Sequence, residues 1–385
     1  RDEQPGKILH EVRVGEFARV GAIPHTPFYG AVDTAPLFLI LLAQHAHWTG
    51  DLSLFRELRG HVEAALRWIA EYGDLDGDGY VEYDSPTEPA LINQGWKDSG
   101  NAIANRDGTL ATPPIALVEI QGYVYQAKQT IADLYERDGA HEPAQQLRQE
   151  ADALRQRFNQ DFWLEKRGFF ALALQRDKKP VEVISSNPGH ALWAGIVDPN
   201  KAEAIIARLV ADDMWNGWGI RTLAKTELSY NPIGYHLGTV WPHDNAIIAE
   251  GFRRYGHDED AHRLFSAIVQ AAMRFESYQL PEVFAGFSRS DYDVPVHFPV
   301  ACHPQAWASG SVPHLLSTLL GLVPDGFDRR LRVVRPMLPD FVDRLEIRRL
   351  RLAGSRMNLL FMREGERVVV ERLDEDGELE LVVEQ

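Results

Sequence analysis

Apolar residues recur at helical spacing through most of this chain. Leu54, Leu58, Val62, Leu66 and Ile69 fall on one face, as do Ala144, Leu147, Ala151, Leu154 and Phe158, and again Ala261, Leu264, Phe265, Ile268 and Ala272. Each set predicts an amphipathic helix. Asp198-Pro199 ahead of Ala202, Ile205 and Leu209 supplies an N-cap with proline at the first helical position. Further helices are expected across residues 34–48, 114–138, 242–256 and 304–320. From about residue 30 to 322 the helices come in pairs, separated by long connections rich in Gly, Trp, His and Asp. That order suits a ring of helices with its chemistry in the connections. From Val323-Pro324 onward the pattern changes, and Leu331–Val334, Leu350–Leu352 and Val368–Glu371 read as strands between Gly and charged turns. The expected organisation is a mainly α unit over residues 1–322 and a small β-rich cap over 323–385, packed together because no low-complexity linker separates them.

With 385 residues, 45% of them hydrophobic, the chain can bury a sizeable core. Its 40 basic residues face 56 acidic ones, and the formal charge of −16 disfavours nucleic acid or an anionic membrane as partner. A single cysteine, Cys302, excludes an internal disulfide, and no apolar run reaches the roughly 18 residues of a membrane span. A cytoplasmic setting is the simplest expectation. The opening Arg1-Asp2-Glu3-Gln4-Pro5 has neither an initiator Met nor a signal-peptide core, which reads as a segment cut from a longer protein.

The connections set aromatic rings beside carboxylates: Gly95-Trp96-Lys97-Asp98, Gly217-Trp218-Gly219-Ile220-Arg221, Trp241-Pro242-His243-Asp244 and Leu280-Pro281-Glu282. A pyranose has apolar C–H faces that pack on rings and an equator of hydroxyls that pair with Asp, Glu, His and Arg, so a sugar site needs both kinds of side chain. Tryptophan is also a common core residue, and each ring has that second reading. The fourteen histidines lack metalloprotease spacing, and there is no Gly-rich phosphate loop or Gly-x-Ser-x-Gly elbow, so redox, kinase and serine-hydrolase chemistry fall away.

Five runs, in order, carry a more specific signal: Asn93–Gly100, Glu119–Tyr125, Ser186–Trp193, Tyr235–Asn245 and Leu280–Gly286. Together they resemble the bacterial amylo-α-1,6-glucosidase, or glycogen-debranching-type, family of six-hairpin glycosidases, from about Pro5–Glu11 to Leu331–Pro336. The resemblance implies an (α/α)6 toroid, here short of its first helices, acting on an oligosaccharide or polysaccharide by inversion. It also implies Asp98 as general acid and Glu282 as general base, a pair that an inverting enzyme holds roughly 6.5–9.5 Å apart. The plainer readings are a helix N-cap for Asp98 and a structural or substrate-binding carboxylate for Glu282.

Tyr29, Asp33, Trp96, Lys97, Glu119, Gln121, His190, Trp218, Arg221, His236, Trp241 and His243 are expected to shape the sugar subsite or brace it, and Asp244 to cap a helix. The family's motif continues with Asp where this chain has Asn101. No cofactor is needed for the chemistry. A structural calcium ion is a further expectation, since Asp74, Asp76, Asp78 and Glu82 occupy positions 1, 3, 5 and 9 of an EF-hand-like loop with Gly79 at 6. Ser85 stands where the bidentate glutamate belongs, and an Asx/Gly turn is the alternative reading. The rival functions are a sugar phosphorylase or epimerase on a similar toroid, and a non-catalytic carbohydrate-binding protein.

Overall fold

The computed structural model describes residues 3–22, 26–84 and 91–385, apart from the side chains of Glu375 and Asp376. Among these, helices α1 (Glu16–Arg19), α2 (Thr34–Thr49), α3 (Ser53–Glu57) and α4 (Arg59–Glu71) come first. Then follow β1 (Ala116–Leu117), α5 (Val118–Arg137), α6 (His141–Asp161), and short strands β2 (Trp163–Leu164), β3 (Phe169–Phe170), β4 (Ala173–Gln175) and β5 (Lys179–Pro180). Helices α7 (Pro188–Ala194), α8 (Pro199–Leu209), α9 (Pro242–Arg254), α10 (Asp258–Ala272) and α11 (Ala306–Leu320) complete the helical part. Prolines 188, 199 and 242 open α7, α8 and α9, where a missing N–H forfeits no helical bond. Gly50, Gly195 and Gly321 close α2, α7 and α11 in the left-handed conformation that other residues resist. No described helix is long and apolar enough to cross a membrane.

Helices α2, α5, α7, α9 and α11 pack in series, each on the next, while α4, α6, α8 and α10 pack on α2, α5, α7 and α9 in turn. The second set is amphipathic: α6 buries the expected Ala144, Leu147, Ala151, Leu154 and Phe158, together with Asn159, and its other residues are part- or fully exposed. By contrast α2 and α11, at the two ends of the series, are apolar around most of their circumference, and Leu41 and Val312 stand exposed.

After α11 come β6 (Leu322–Asp325), β7 (Arg330–Val334), β8 (Arg344–Leu352), β9 (Ser355–Glu364), β10 (Arg367–Asp376) and β11 (Glu380–Glu384). They form two three-stranded sheets, one ordered β10-β9-β8 and antiparallel, the other β11-β7-β6 with β11 parallel to β7. Leu331, Val333, Met357, Leu359 and Phe361 make a second core, on which Leu320 of α11 and Trp48 of α2 also pack. Arg253 of α9 donates from Nη2 to the carbonyls of Val334 and Arg335, which ties helix to strand.

Three local differences from the periodicity have physical causes. The face from Leu54 to Ile69 breaks at Leu58 into α3 and α4. The helix expected from residue 114 starts at Val118, because Pro113-Pro114 favours extended backbone and Ala116-Leu117 pairs with β4. Helix α7 was hidden, its seven residues too few and too uniformly buried to display a period.

The connection after α10 approaches residues 238–240 very closely. A Cβ on Gly286 would lie 1.7 Å from the Gly238 carbonyl oxygen, and neither backbone can retreat without breaking the Val240–Phe284 pairing. Gly286→Ala is therefore expected to lower the stability of the chain by about 2 kcal/mol or more, read as a fall in urea midpoint at unchanged m-value.

Candidate active site

The first turns of the serial helices converge at one end of the fold. Asp33 is the N-cap of α2, Glu119 lies in the first turn of α5, His190 in that of α7, and His243 and Asp244 in that of α9. Helix N-termini carry partial positive charge, which favours carboxylates at these positions. The loop of residues 93–100 lies across this end. Lys97 is buried within it, and its Nζ donates to the Thr222 carbonyl at 2.8 Å and to Ser186 Oγ at 3.2 Å, beneath the Trp96 ring at 5.0 Å from the centroid. Burial depresses the ammonium to about 8, with Asp244 and Glu119 opposing that fall.

Around Trp96 the rings interlock. His190 stacks on it with centroids 5.8 Å apart, and His236, Trp241 and His243 meet it edge-on at 5.6, 5.6 and 4.9 Å. Asp244 Oδ1 lies 2.8 Å from His190 Nε2, and Tyr123 Oη lies 2.5 Å from His190 Nδ1. An ionised carboxylate can only accept, so His190 donates to Asp244 from Nε2. Burial pushes the Asp244 carboxyl up, but the His190 hydrogen bond and the charges of His190 and Lys97 hold it below the ordinary carboxylate range. Burial raises the Glu119 carboxyl despite help from His190, Lys97 and the Asn187 amide, which donates to Oε1 at 2.9 Å. Burial also keeps His243 neutral, at about 3, stacked on Trp307 at 3.8 Å, with both ring nitrogens buried and without a hydrogen-bond partner.

Asp98 and Glu282 rise beside this aromatic floor. No helix begins after Asp98, so its carboxyl does not act as an N-cap. Burial raises the Asp98 carboxyl, the nearby His10 pulls it back, and the charges of Glu282 and Glu11 push it up again. Glu282 is gripped on both sides of its chain. Its N–H donates to the Cys302 carbonyl at 3.0 Å, the Cys302 N–H donates back to Oε2 at 3.1 Å, and burial and the nearby Glu282 carboxylate raise the Tyr235 phenol. Two residues on, Phe284 pairs with Val240. Asp33 feels Asp98 as well: burial lifts its carboxyl to about 6, with His10 opposing.

The remaining expected residues separate into two groups. Trp96, Lys97, Glu119, His190, His236, Trp241 and His243 share the floor; Ser99 Oγ lies 2.8 Å from His236 Nδ1, and Trp241 Nε1 donates to the Tyr235 carbonyl at 2.9 Å. Gln121, Trp218 and Arg221 are engaged in bracing contacts. The Gln121 amide is occupied by the backbone of Val81 and Leu117, Arg289 lies over the Trp218 ring at 4.3 Å, and Arg221 donates to the Gly286 carbonyl and Ser288 Oγ. Tyr29 is part-buried five residues ahead of α2, its carbonyl accepting from Ala31 N–H. Asp244 lies inside α9, whose N-cap is Trp241, and serves His190 instead of capping. Asn101 is exposed. Asp74, Asp76, Asp78 and Glu82 converge in the loop after α4, and Ser85 lies outside the described residues.

Four contributors had little or no sequence signal. His10 exerts its effect through charge, Cys302 acts through a backbone N–H that almost any residue supplies, and Trp307 is one ring at the start of α11. Tyr235 opened a quoted motif, yet nothing in its spacing linked it to Glu282.

A raised Asp33 sets a pH test. Between the usual carboxylate value near 3.8 and about 6, the folded chain holds the proton more tightly than the unfolded chain, so this group's contribution to stability falls as pH rises through that window. Asp33→Asn is expected to stabilise the fold at pH 7–8, by at most about 3 kcal/mol, and to change it little at pH 3.5, as read from urea unfolding at both pH values.

Comparison with known proteins bears on the family and the fold. A family model described as the mannosylglycerate hydrolase MGH1-like glycoside hydrolase domain matches residues 19–288. The mannosylglycerate hydrolase of Rubrobacter radiotolerans is 29% identical over 94 residues, covering 23% of this chain and 21% of that protein. Among solved structures, a sialidase superposes with TM-score 0.69 at 14% identity, over 89% of this chain and 32% of its own. The GH63 mannosylglycerate hydrolase of Thermus thermophilus, in complex with Tris, gives TM-score 0.54 at 16% identity, over 80% and 82%. At such identities the superpositions show a shared fold. The match spans about a fifth of the curated relative's length.

Proposed function

Because the chain belongs to the mannosylglycerate hydrolase MGH1-like glycoside hydrolase family, we propose that it is the catalytic part of an inverting glycosidase, with Asp98 as acid and Glu282 as base. The observation that carries this reading is the contrast between two carboxyls that sense each other's charge. Asp98 is raised by burial and suited to hold a proton, whereas Glu282 accepts the Cys302 peptide N–H at Oε2. Asp98 gives its proton to the glycosidic oxygen as the C–O bond breaks. Glu282 takes a proton from water as that water bonds to the anomeric carbon from the opposite face. Exposed Trp307 offers its ring to the sugar, above a floor of buried Trp96, Trp241 and His243.

The same reading takes α2, α5, α7, α9 and α11 as five inner helices of an (α/α)6 toroid over residues 1–322, with 323–385 as its β-rich cap. The sixth inner position then falls between α11 and α2. Exposed Leu41 and Val312 support this, as does a cavity of about 760 Å³ lined by Gln44 and Trp48 of α2, Arg253 of α9 and His314 and Ser317 of α11. Two substrate readings follow from the two resemblances, an α-1,6-linked glucose of glycogen or limit dextrin and a small glycoside such as mannosylglycerate.

Anomer-resolved NMR over a panel of both kinds separates them. The sugar is expected to appear first as the anomer opposite to that of the bond cleaved, with turnover reduced about 10²–10⁴-fold in Asp98→Asn and in Glu282→Gln. Retention of configuration, or full activity in either variant, would show the pair to be misassigned.

A further inference from the structure

The four acids of the calcium loop expected from the acidic spacing converge as expected, but each already has partners within the chain. Asp74 has both carboxylate oxygens committed to backbone: Oδ1 accepts from Gly77 N–H at 2.8 Å and Asp78 N–H at 3.1 Å, and Oδ2 from Gly79 N–H at 2.9 Å. The other three acids converge on a cation that the chain itself supplies. Lys178 Nζ lies 2.9 Å from Asp76 Oδ2 and 2.6 Å from Asp78 Oδ2, and it donates to Glu82 Oε1. Calcium requires six to eight oxygens at about 2.3–2.6 Å, whereas an ammonium carries three donors, one for each of these carboxylates.

Two further observations show that the lysine is built in. Asp177 and Lys178 both adopt left-handed backbone, with φ of 61° and 56°, an unfavourable choice for two consecutive non-glycine residues that brings the side chain over the loop. The Glu82 side chain is only 1% exposed, and among the described residues its second oxygen is buried without a hydrogen-bond partner. An anion that deep needs a charge beside it.

We propose that the Lys178 ammonium replaces a divalent ion in this loop, clamping residues 74–82 to the turn at 176–178 so that the loop folds without metal. The consequence reaches the catalytic end. Val81 is paired through both backbone groups with the Gln121 amide, Tyr83 donates from its hydroxyl to Asn93 Oδ1, and Asn93 Nδ2 donates to the Ser99 carbonyl, one residue beyond Asp98. The clamp thus anchors one end of a hydrogen-bonded path to the loop that carries Asp98. It stands independently of the glycosidase reading.

Thermal melting and calorimetric titration of the whole chain with Ca²⁺, each with and without chelator, test it. The unsubstituted protein is expected to keep its Tm in chelator and to show no saturable Ca²⁺ binding up to about 1 mM, the weak end of biological calcium sites. Lys178→Met is expected to melt lower in chelator, to recover as Ca²⁺ is added, and to bind Ca²⁺ at least tenfold more tightly than the unsubstituted protein. Lys178→Arg should retain most of the Tm without calcium. Stoichiometric Ca²⁺ binding by the unsubstituted protein, with Tm lost in chelator, overturns the proposal even if Lys178→Met cannot be purified. So does a Lys178→Met protein whose Tm is unchanged in chelator.

Discussion

One buried cation organises the candidate active site of this molecule. Lys97 sits beneath Trp96 with its ammonium bonded to the Thr222 carbonyl and Ser186 Oγ, so three chain segments far apart in sequence meet at one atom. Removing such a charge from water is costly unless the interior repays it with hydrogen bonds and counter-charge. The repayment comes from Asp244 and Glu119, themselves buried and themselves tied, Asp244 to His190 and Glu119 to Asn187. Each group's burial is tolerable only while the others hold position. The aromatic floor inherits that rigidity, since His190 is both the partner of Asp244 and the ring stacked on Trp96.

This arrangement explains why the proposed catalytic carboxyls can lie on connections rather than helices. Asp98 is the residue after Lys97, so its backbone is fixed by the ammonium's bonds on one side and by the Asn93–Ser99 hydrogen bond on the other. Glu282 lies on an extended segment bonded to Cys302 and, two residues later, to Val240. Loops braced in this way approach the precision of regular elements. Converging helix N-termini add a favourable potential for the acids nearby, and burial then decides which of them holds a proton. Asp33 and Asp244, both at helix starts, are driven in opposite directions because only Asp244 has an imidazole N–H to accept.

The helices were legible because their amphipathic sets, on α4, α6 and α10, are read directly from periodicity. Among the helices apolar on nearly every side, α2 and α11 lie within two residues of the expected 34–48 and 304–320, and the seven-residue α7 carries no legible period. Strand cores around Leu331–Val334 and Val368–Glu371 match β7 and β10, but β8 extends well before Leu350–Leu352 because Arg and Glu interleave with its apolar residues, and β9 is absent from the sequence reading. At the site, motif residues were found and their division of labour was not. Gln121 and Arg221 look, as a sequence, like sugar-binding groups, and it takes coordinates to see them occupied by backbone carbonyls. Lys178 is the sharper case. It lies about a hundred residues beyond the acidic loop in a turn with no motif, so spacing alone pointed to a metal.

Lys97 and Lys178 meet the same electrostatic problem under different dielectric conditions. Both stand where carboxylates gather in a chain of net charge −16. Lys97 is wholly enclosed, bonds to neutral oxygens, and has its acids at a remove, so desolvation dominates and its ammonium is weakened to about 8. Lys178 is part-exposed and in direct contact with three carboxylates, so attraction dominates and its proton is held more tightly than usual. The first lysine is therefore suited to fixing geometry inside an enclosed site. The second is suited to holding a solvent-facing loop together. A tethered ammonium also cannot dissociate as a bound ion can, and the left-handed backbone at Asp177 and Lys178 is the conformational cost of that permanence.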